Sequence, residues 1–178
     1  MTDTIDRAAA EARFRDVFSH LGHVAAYARR RGSRDADAIA AEVMTIAWRR
    51  LADVPLDDPR PWLYATARNL LLADARRART ANGVVADGNG VAPPPEVVEL
   101  DPRLACALRS LSPVDCEALL LVAWEDLTPT KAARSLGISP TAFRVRLLRA
   151  RRRLRAKLDE PAHDRPSDTN AHLDLEAT

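Results

Sequence analysis

Apolar residues recur at three- and four-residue steps through most of the chain, the period of helices that bury one face. Phe14, Val17, Phe18, Leu21, Val24, Ala25 and Ala28 form the first stripe. It runs into Arg29-Arg30-Arg31-Gly32, where cations and a glycine suit a helix C-terminus, so one continuous amphipathic helix is predicted. A second is predicted from about Ala36 to Leu51, with Ile39, Val43, Ile46 and Ala47 on one face. A third opens at Pro61 and carries Leu63, Ala67, Leu70 and Leu71. The proline-punctuated stretch from Asp53 to Arg60 reads as the loop between them.

The helical period fails from Thr80 to Glu99, where Gly83, Gly88, Gly90 and Pro93-Pro94-Pro95 mark a linker. A flexible chain of that length has a root-mean-square span of ~25 Å, enough for the two flanking halves to occupy separate sites. Beyond it, Ser112-Pro113, Thr128-Pro129 and Ser139-Pro140 each put a hydroxyl N-cap before a proline at the first helical position. An earlier helix from Pro102 to Ser110, with Leu104, Ala107 and Leu108 facing inward, completes a four-helix unit. The expected organisation is all-α: a helical domain at 10–79, a linker at 80–99, a second helical domain at 100–158, and a polar tail at 159–178 that is expected to be disordered.

Composition supports helices, since aromatic residues make up only 4% of a chain rich in Ala, Leu and Arg. The formal charge of +2 hides an asymmetry. Of 27 bases and 25 acids, the last twenty residues hold one base and six acids, leaving 26 against 19 in the body, a net +7. A polyanionic partner is expected for that body. Cys106 and Cys116 lack the spacing of a zinc knuckle, and both fall in apolar helical patterns where a buried thiol fits. His20 and His23 lie three apart but have no third ligand at helical spacing, so they read as surface histidines and no metal site is expected. No nucleophile–base pair or phosphate loop stands out, so neither a catalytic site nor a cofactor is expected. No apolar run has the length of a membrane span, and a cytoplasmic protein is expected.

Within the second half, Pro129 to Leu136 is a short helix, Gly137 fits its left-handed cap, Ile138 can drop into the core, and Ser139 starts the next helix at once. That is helix-turn-helix spacing, although an ordinary helical corner would carry the same cues. The following helix favours the former. Phe143, Leu147, Ala150, Leu154 and Leu158 make its inward stripe, while Arg144, Arg146, Arg149, Arg151, Arg152, Arg153, Arg155 and Lys157 take the other faces with no acid among them. Such a run repels itself unless phosphates neutralise it. Ser139, Thr141, Ala142, Arg144 and Val145 stand in the first turns, where such helices enter the major groove; Arg144 can fork onto guanine. Arg146, Arg149 and Arg152 lie further along and suit the phosphate backbone.

In these residues the chain resembles the extracytoplasmic-function sigma factors of the sigma-70 family, over about Phe14 to Leu158. Leu136-Gly137-Ile138 followed by Arg144-Val145-Arg146-Leu147-Leu148-Arg149-Ala150-Arg151-Arg152-Arg153-Leu154 resembles that family's region four. Asp35-Ala36-Asp37, Glu42, Ala47-Trp48-Arg49-Arg50-Leu51, Pro61-Trp62-Leu63-Tyr64 and Ala67-Arg68-Asn69 resemble region two. The resemblance implies promoter-specific transcription initiation, with RNA polymerase core (its largest-subunit clamp helices and beta flap) and promoter DNA as partners and an anti-sigma protein as a candidate third. It implies polymerase docking through Asp37, Ile39, Glu42 and Trp48, although Ala38 and Ala41 replace the acid and glutamine usual there. It implies minus-ten recognition by Asp57, Asp58, Arg60, Trp62, Arg68 and Asn69. Lys131 stands where an acid is common. Core packing is the bland reading of both Trp48 and Trp62, and capping of the Pro61 helix that of Asp57 and Asp58. A polymerase-independent helix-turn-helix repressor is the alternative function, which would bind symmetric half-sites as a dimer.

Overall fold

The computed structural model describes residues 2–82 and 101–160, and among these the regular structure is helical throughout. Helix α1 spans Thr2–Phe18, α2 Leu21–Arg30, α3 Ala36–Arg49 and α4 Arg60–Asn82. After the gap come α5 (Pro102–Arg109), α6 (Pro113–Ala123), α7 (Pro129–Leu136) and α8 (Pro140–Asp159). The predicted linker and tail lie largely outside the described residues, though α4 continues two residues past Thr80.

One expected helix is two. The stripe from Phe14 to Ala28 breaks at Ser19 and His20, where the Ser19 hydroxyl donates to the Asp16 carbonyl and α2 restarts. Val17 on α1 and Val24, Ala25 and Ala28 on α2 nevertheless share one core, so the apolar period runs through a corner that sequence does not mark. Gly32, at φ +73°, ends α2 as expected: its N–H and that of Ser33 bond the Arg29 and Ala28 carbonyls.

The first half is built on α2 and α3, with α4 packed across both and α1 against α3. Asp35 caps α3 through the Ala38 N–H, and Ile39, Ala40, Val43, Met44 and Ala47 face inward. In the second half α8 is the hub, touching α5, α6 and α7. The hydroxyl–proline starts work as expected: the Ser112, Thr128 and Ser139 side chains accept from the backbone N–H of Asp115, Lys131 and Ala142. Asp101, followed by Pro102, does the same for α5.

The halves pack against each other. α4 lies along α7, and one apolar core runs through both, with Tyr27 and Tyr64 stacked at 4.8 Å between ring centroids. Cys116 is in that core, where burial raises its thiol pKa to about 11 and so keeps it protonated. Cys106, expected to be buried, is exposed because its face of the short α5 turns away from α8.

Candidate nucleic-acid interface

Gly137 at φ +64° turns the chain between α7 and α8, and the Ile138 N–H closes back on the Ala133 carbonyl. Ala132 and Ala133 are fully buried, and small side chains there let the two helices approach closely. Phe143, Leu147 and Ala150 fasten α8 to the core, which fixes its outward face. Thr141, Ala142, Arg144, Val145, Arg149 and Arg152 are exposed on that face, as is the cap residue Ser139, and Arg146 is half-buried. Ser139, Thr141, Ala142, Val145, Arg146, Arg149 and Arg153 line a concavity of about 650 Å³ that opens towards the N-terminus of α6.

Two cations of α8 are tied down. Arg153 bonds the buried carboxylate of Asp115, and Lys157 pairs with Glu160. Arg144, Arg146, Arg149, Arg151, Arg152 and Arg155 form no ion pair with any described residue. Six unneutralised guanidinium groups on one helix make a strongly positive ridge beside the concavity.

The candidate minus-ten residues stand differently. Asp58 is only 6% exposed. Its carboxylate accepts from the Arg60 N–H at 3.0 Å and the Arg60 side chain, as a cap on the first turn of α4, and also from Lys131 Nζ of α7 at 2.7 Å. Burial alone would raise its pKa; the hydrogen bonds from Arg60 and Lys131 outweigh that and hold it well below the usual carboxylate range. Asp57 is exposed and lies 3.7 Å from Arg134, also of α7. Arg13 secures the same loop by donating to the Val54 carbonyl. Trp62 and Arg68 are half-buried and Asn69 is exposed, so these three and Asp57 present surface while Asp58 and Arg60 are engaged with each other. The Arg50 guanidinium sits 5.9 Å from the Trp62 ring centre.

Of the candidate docking residues, Asp37, Glu42 and Trp48 are exposed along α3. Ile39 is not: at 5% exposure it belongs to the core, because it shares the inward stripe with Val43. Its inclusion as a contact residue is corrected accordingly. The core reading of Trp48 fails in the other direction. Its ring is 46% exposed and leans edge-on against Phe14 at 5.0 Å, with the 48% exposed Phe18 beside it, forming an aromatic patch on the α1–α3 surface. Phe14 and Phe18 belong to that patch although sequence reasoning placed them on the buried stripe.

An ionic cluster bridging the halves was not anticipated. Arg30 at the end of α2 and Arg31, its C-cap, reach Glu117 of α6 and Glu125 just after that helix. Arg31 donates to Glu117 Oε2 at 2.9 Å and Glu125 Oε1 at 2.8 Å, Arg30 to Glu125 Oε2 at 2.5 Å, and the Tyr27 hydroxyl to Glu117 Oε1 at 2.8 Å. The Arg31, Glu117 and Glu125 side chains are each at most 4% exposed. Burial acts to lower the Arg31 pKa; Tyr27, Glu117 and Glu125 more than offset it and keep the guanidinium charged. His20 and His23 stack loosely at 5.7 Å, and His20 Nδ1 is buried without a partner; burial, then His23 and Arg60, lower the His20 pKa despite Asp58. Among the described residues no cluster of three potential metal ligands occurs.

The sequence signature "Sigma-70, region 4" matches residues 102–154, the span of α5 to most of α8. A solved structure of CnrH in complex with the cytosolic domain of CnrY is 27% identical, covers 86% of this chain and 97% of its own, and has a TM-score of 0.59. The chain is an RNA polymerase sigma factor whose residues 102–154 are a sigma-70 region 4 domain. Its fold is that of the small extracytoplasmic-function class, as the structure of the sigma factor RpoE with the anti-sigma factor NepR from Bartonella quintana also illustrates (21% identity, 81% of this chain, 94% of that one, TM-score 0.62). No curated protein matches this sigma factor in sequence. Among its described residues no helix is long and apolar enough to cross a membrane.

Proposed function

We propose that this sigma factor grips one promoter with both halves while docked on RNA polymerase core. The domain at 100–158 holds the minus-thirty-five element as a duplex, with α8 in the major groove. The domain at 10–79 docks on the clamp helices of the largest subunit through Asp37, Glu42 and Trp48 and takes the melted minus-ten strand on the 53–60 loop and the Trp62 and Asn69 surface. The beta flap is the expected seat of the second domain, and an anti-sigma protein is a candidate regulator. The protein has no reaction of its own and works in the cytoplasm, where the polymerase and DNA are.

The observation that carries this reading is the unpaired ridge of Arg144, Arg146, Arg149, Arg151, Arg152 and Arg155 on the helix after a helix-turn-helix bend. A merely solvated face normally intersperses acids; this one is suited to releasing counterions from a phosphate backbone. Run-off transcription with purified core polymerase over a promoter library tests it. The expected result is a consensus of two spaced elements, obtained only when core and sigma factor are both present. Tight binding of the free chain to a symmetric duplex site as a dimer would instead support a polymerase-independent repressor.

A further inference from the structure

We propose that the acidic segment after α8 folds back onto the outward face of that helix, where residues 172–176 guard the arginine ridge until DNA displaces them. The guarding rests on the reading of the ridge given above; the docking does not. Val145, Leu148, Arg149 and Arg152 recur at the three- and four-residue steps that share one helical face, opposite the buried Phe143, Leu147 and Ala150. Val145 is 44% and Leu148 52% exposed, so this face carries an apolar strip between its arginines. An occupant that suits it offers apolar and acidic groups together. Leu173-Asp174-Leu175-Glu176 does so by alternation. Extended and laid edge-on along α8, such a sequence sets its leucines to one side, over the strip, and its acids to the other, over a row of arginines. Charge agrees: residues 161–178 hold four acids against Arg165 alone, and the six free guanidinium groups of α8 pair with no described residue. Where acids are offered to this helix it takes them, as Arg153 does with Asp115 and Lys157 with Glu160.

The tether has the right length. Glu160 precedes Pro161 and is already extended, at φ −61° and ψ 124°, so α8 stops there. Measured back along the helix at ~1.5 Å per residue, Leu148 lies about 18 Å from that point and Val145 about 22 Å. Leu173 to Glu176 stand 13 to 16 residues beyond it, and a flexible chain of that length has a root-mean-square span of ~20 Å. Effective concentration is highest when span and tether match, on the order of millimolar, so even a weak contact is occupied much of the time. DNA then has to displace the segment from the same cations. Salt weakens both contacts, so the competition is strongest at low salt and disappears once salt has released the segment.

The test compares the full chain with a chain ending at Glu160, with Leu173→Ser plus Leu175→Ser, which keeps every charge, and with Arg149→Ala plus Arg152→Ala. Without DNA, the Val145 and Leu148 methyl resonances should shift between the full chain and both segment variants. A fluorescent mixed-sequence duplex should bind both segment variants about three- to tenfold tighter than the full chain in ~50 mM salt, with a steeper salt dependence and no remaining difference by ~300 mM. Methyl resonances that stay in place overturn the docking. So does a gain for the shortened chain that the leucine variant lacks, since the acids would then act by charge at a distance. Shifted methyls without any gain in duplex binding keep the docking and overturn the guard. Duplex binding that survives Arg149→Ala plus Arg152→Ala undiminished overturns the reading of the ridge itself, whatever the segment does.

Discussion

Gly137 is the residue on which the helix-turn-helix bend depends, and the space around it separates two explanations of why it is a glycine. Nothing lies within 4 Å of where a Cβ would sit, so Gly137→Ala meets no clash and pays only for left-handed backbone at φ +64°. That cost is about 1–2 kcal/mol. Urea unfolding should show a loss of this size with transcription retained at permissive temperature; a much larger loss would mean that the bend is held by packing as well. The arginines of α8 divide by position rather than chemistry. Arg149, with no acidic partner among the described residues, is expected to hold phosphate, so Arg149→Ala should weaken holoenzyme binding to all promoters alike and flatten its salt dependence. Arg144, one turn into the helix, should instead set preference at one or two base pairs, and Arg144→Ala should lose about 1–3 kcal/mol of discrimination there. Binding titrations over promoter variants at several salt concentrations distinguish the two, and equal losses across all sequences for Arg144→Ala would make it another phosphate contact.

At the scale of elements, the second half was legible because its signals are local: each of Ser112, Thr128 and Ser139 caps the helix that begins at the very next proline, and Gly137 ends the one before. The corner at Ser19 and His20 was not, since apolar residues on both sides face a common core and their spacing survives the break. The contact role of Ile39 and the core reading of Trp48 failed for a related reason. Periodicity says that α3 has an inward face but does not say how far a large side chain at its margin is covered: Ile39 is buried, while Trp48 leans on Phe14 of α1 and stays half out. The loop before α4 combines both kinds of role, for Asp58 is a buried cap and Leu56 is 82% exposed. Replacing Pro55 to Asp57 with an unrelated sequence, while keeping Asp58 and Trp62, should therefore alter minus-ten base preference and leave polymerase binding, minus-thirty-five preference and thermal stability nearly unchanged. Run-off assays on promoters randomised at the minus-ten element read this out, and an unaltered preference would reduce the loop to a connector.

At the scale of the whole molecule, sequence pattern indicated two helical units but not their contact. Arg31 and Glu117 are 86 residues apart, and each taken alone is an ordinary charged residue that would be expected in water. Only the folded chain brings them together, so no local signal could have found the seam. The connection between the halves must then serve two arrangements, the packed one and one stretched over a promoter. Eighteen residues separate Asn82 from Asp101, a covalent reach of roughly 60 Å when fully extended at ~3.3–3.6 Å per residue. Added to the breadth of the two domains, that is enough to bridge about 85 Å of duplex, the separation of elements centred roughly 25 base pairs apart at ~3.4 Å per pair; six residues, with a reach of roughly 20 Å, are not. Once the first half is bound, the same tether sets the effective concentration of the second at its own element, and that concentration falls to almost nothing when the tether cannot span the sites. Deleting residues 84–95 should accordingly abolish transcription from two-element promoters while circular dichroism shows both sets of helices intact. The deletion variant should still bind core polymerase in gel filtration, which separates a lost reach from a lost docking surface. Full activity at the native spacing would mean that the two halves do not hold the same promoter at the same time.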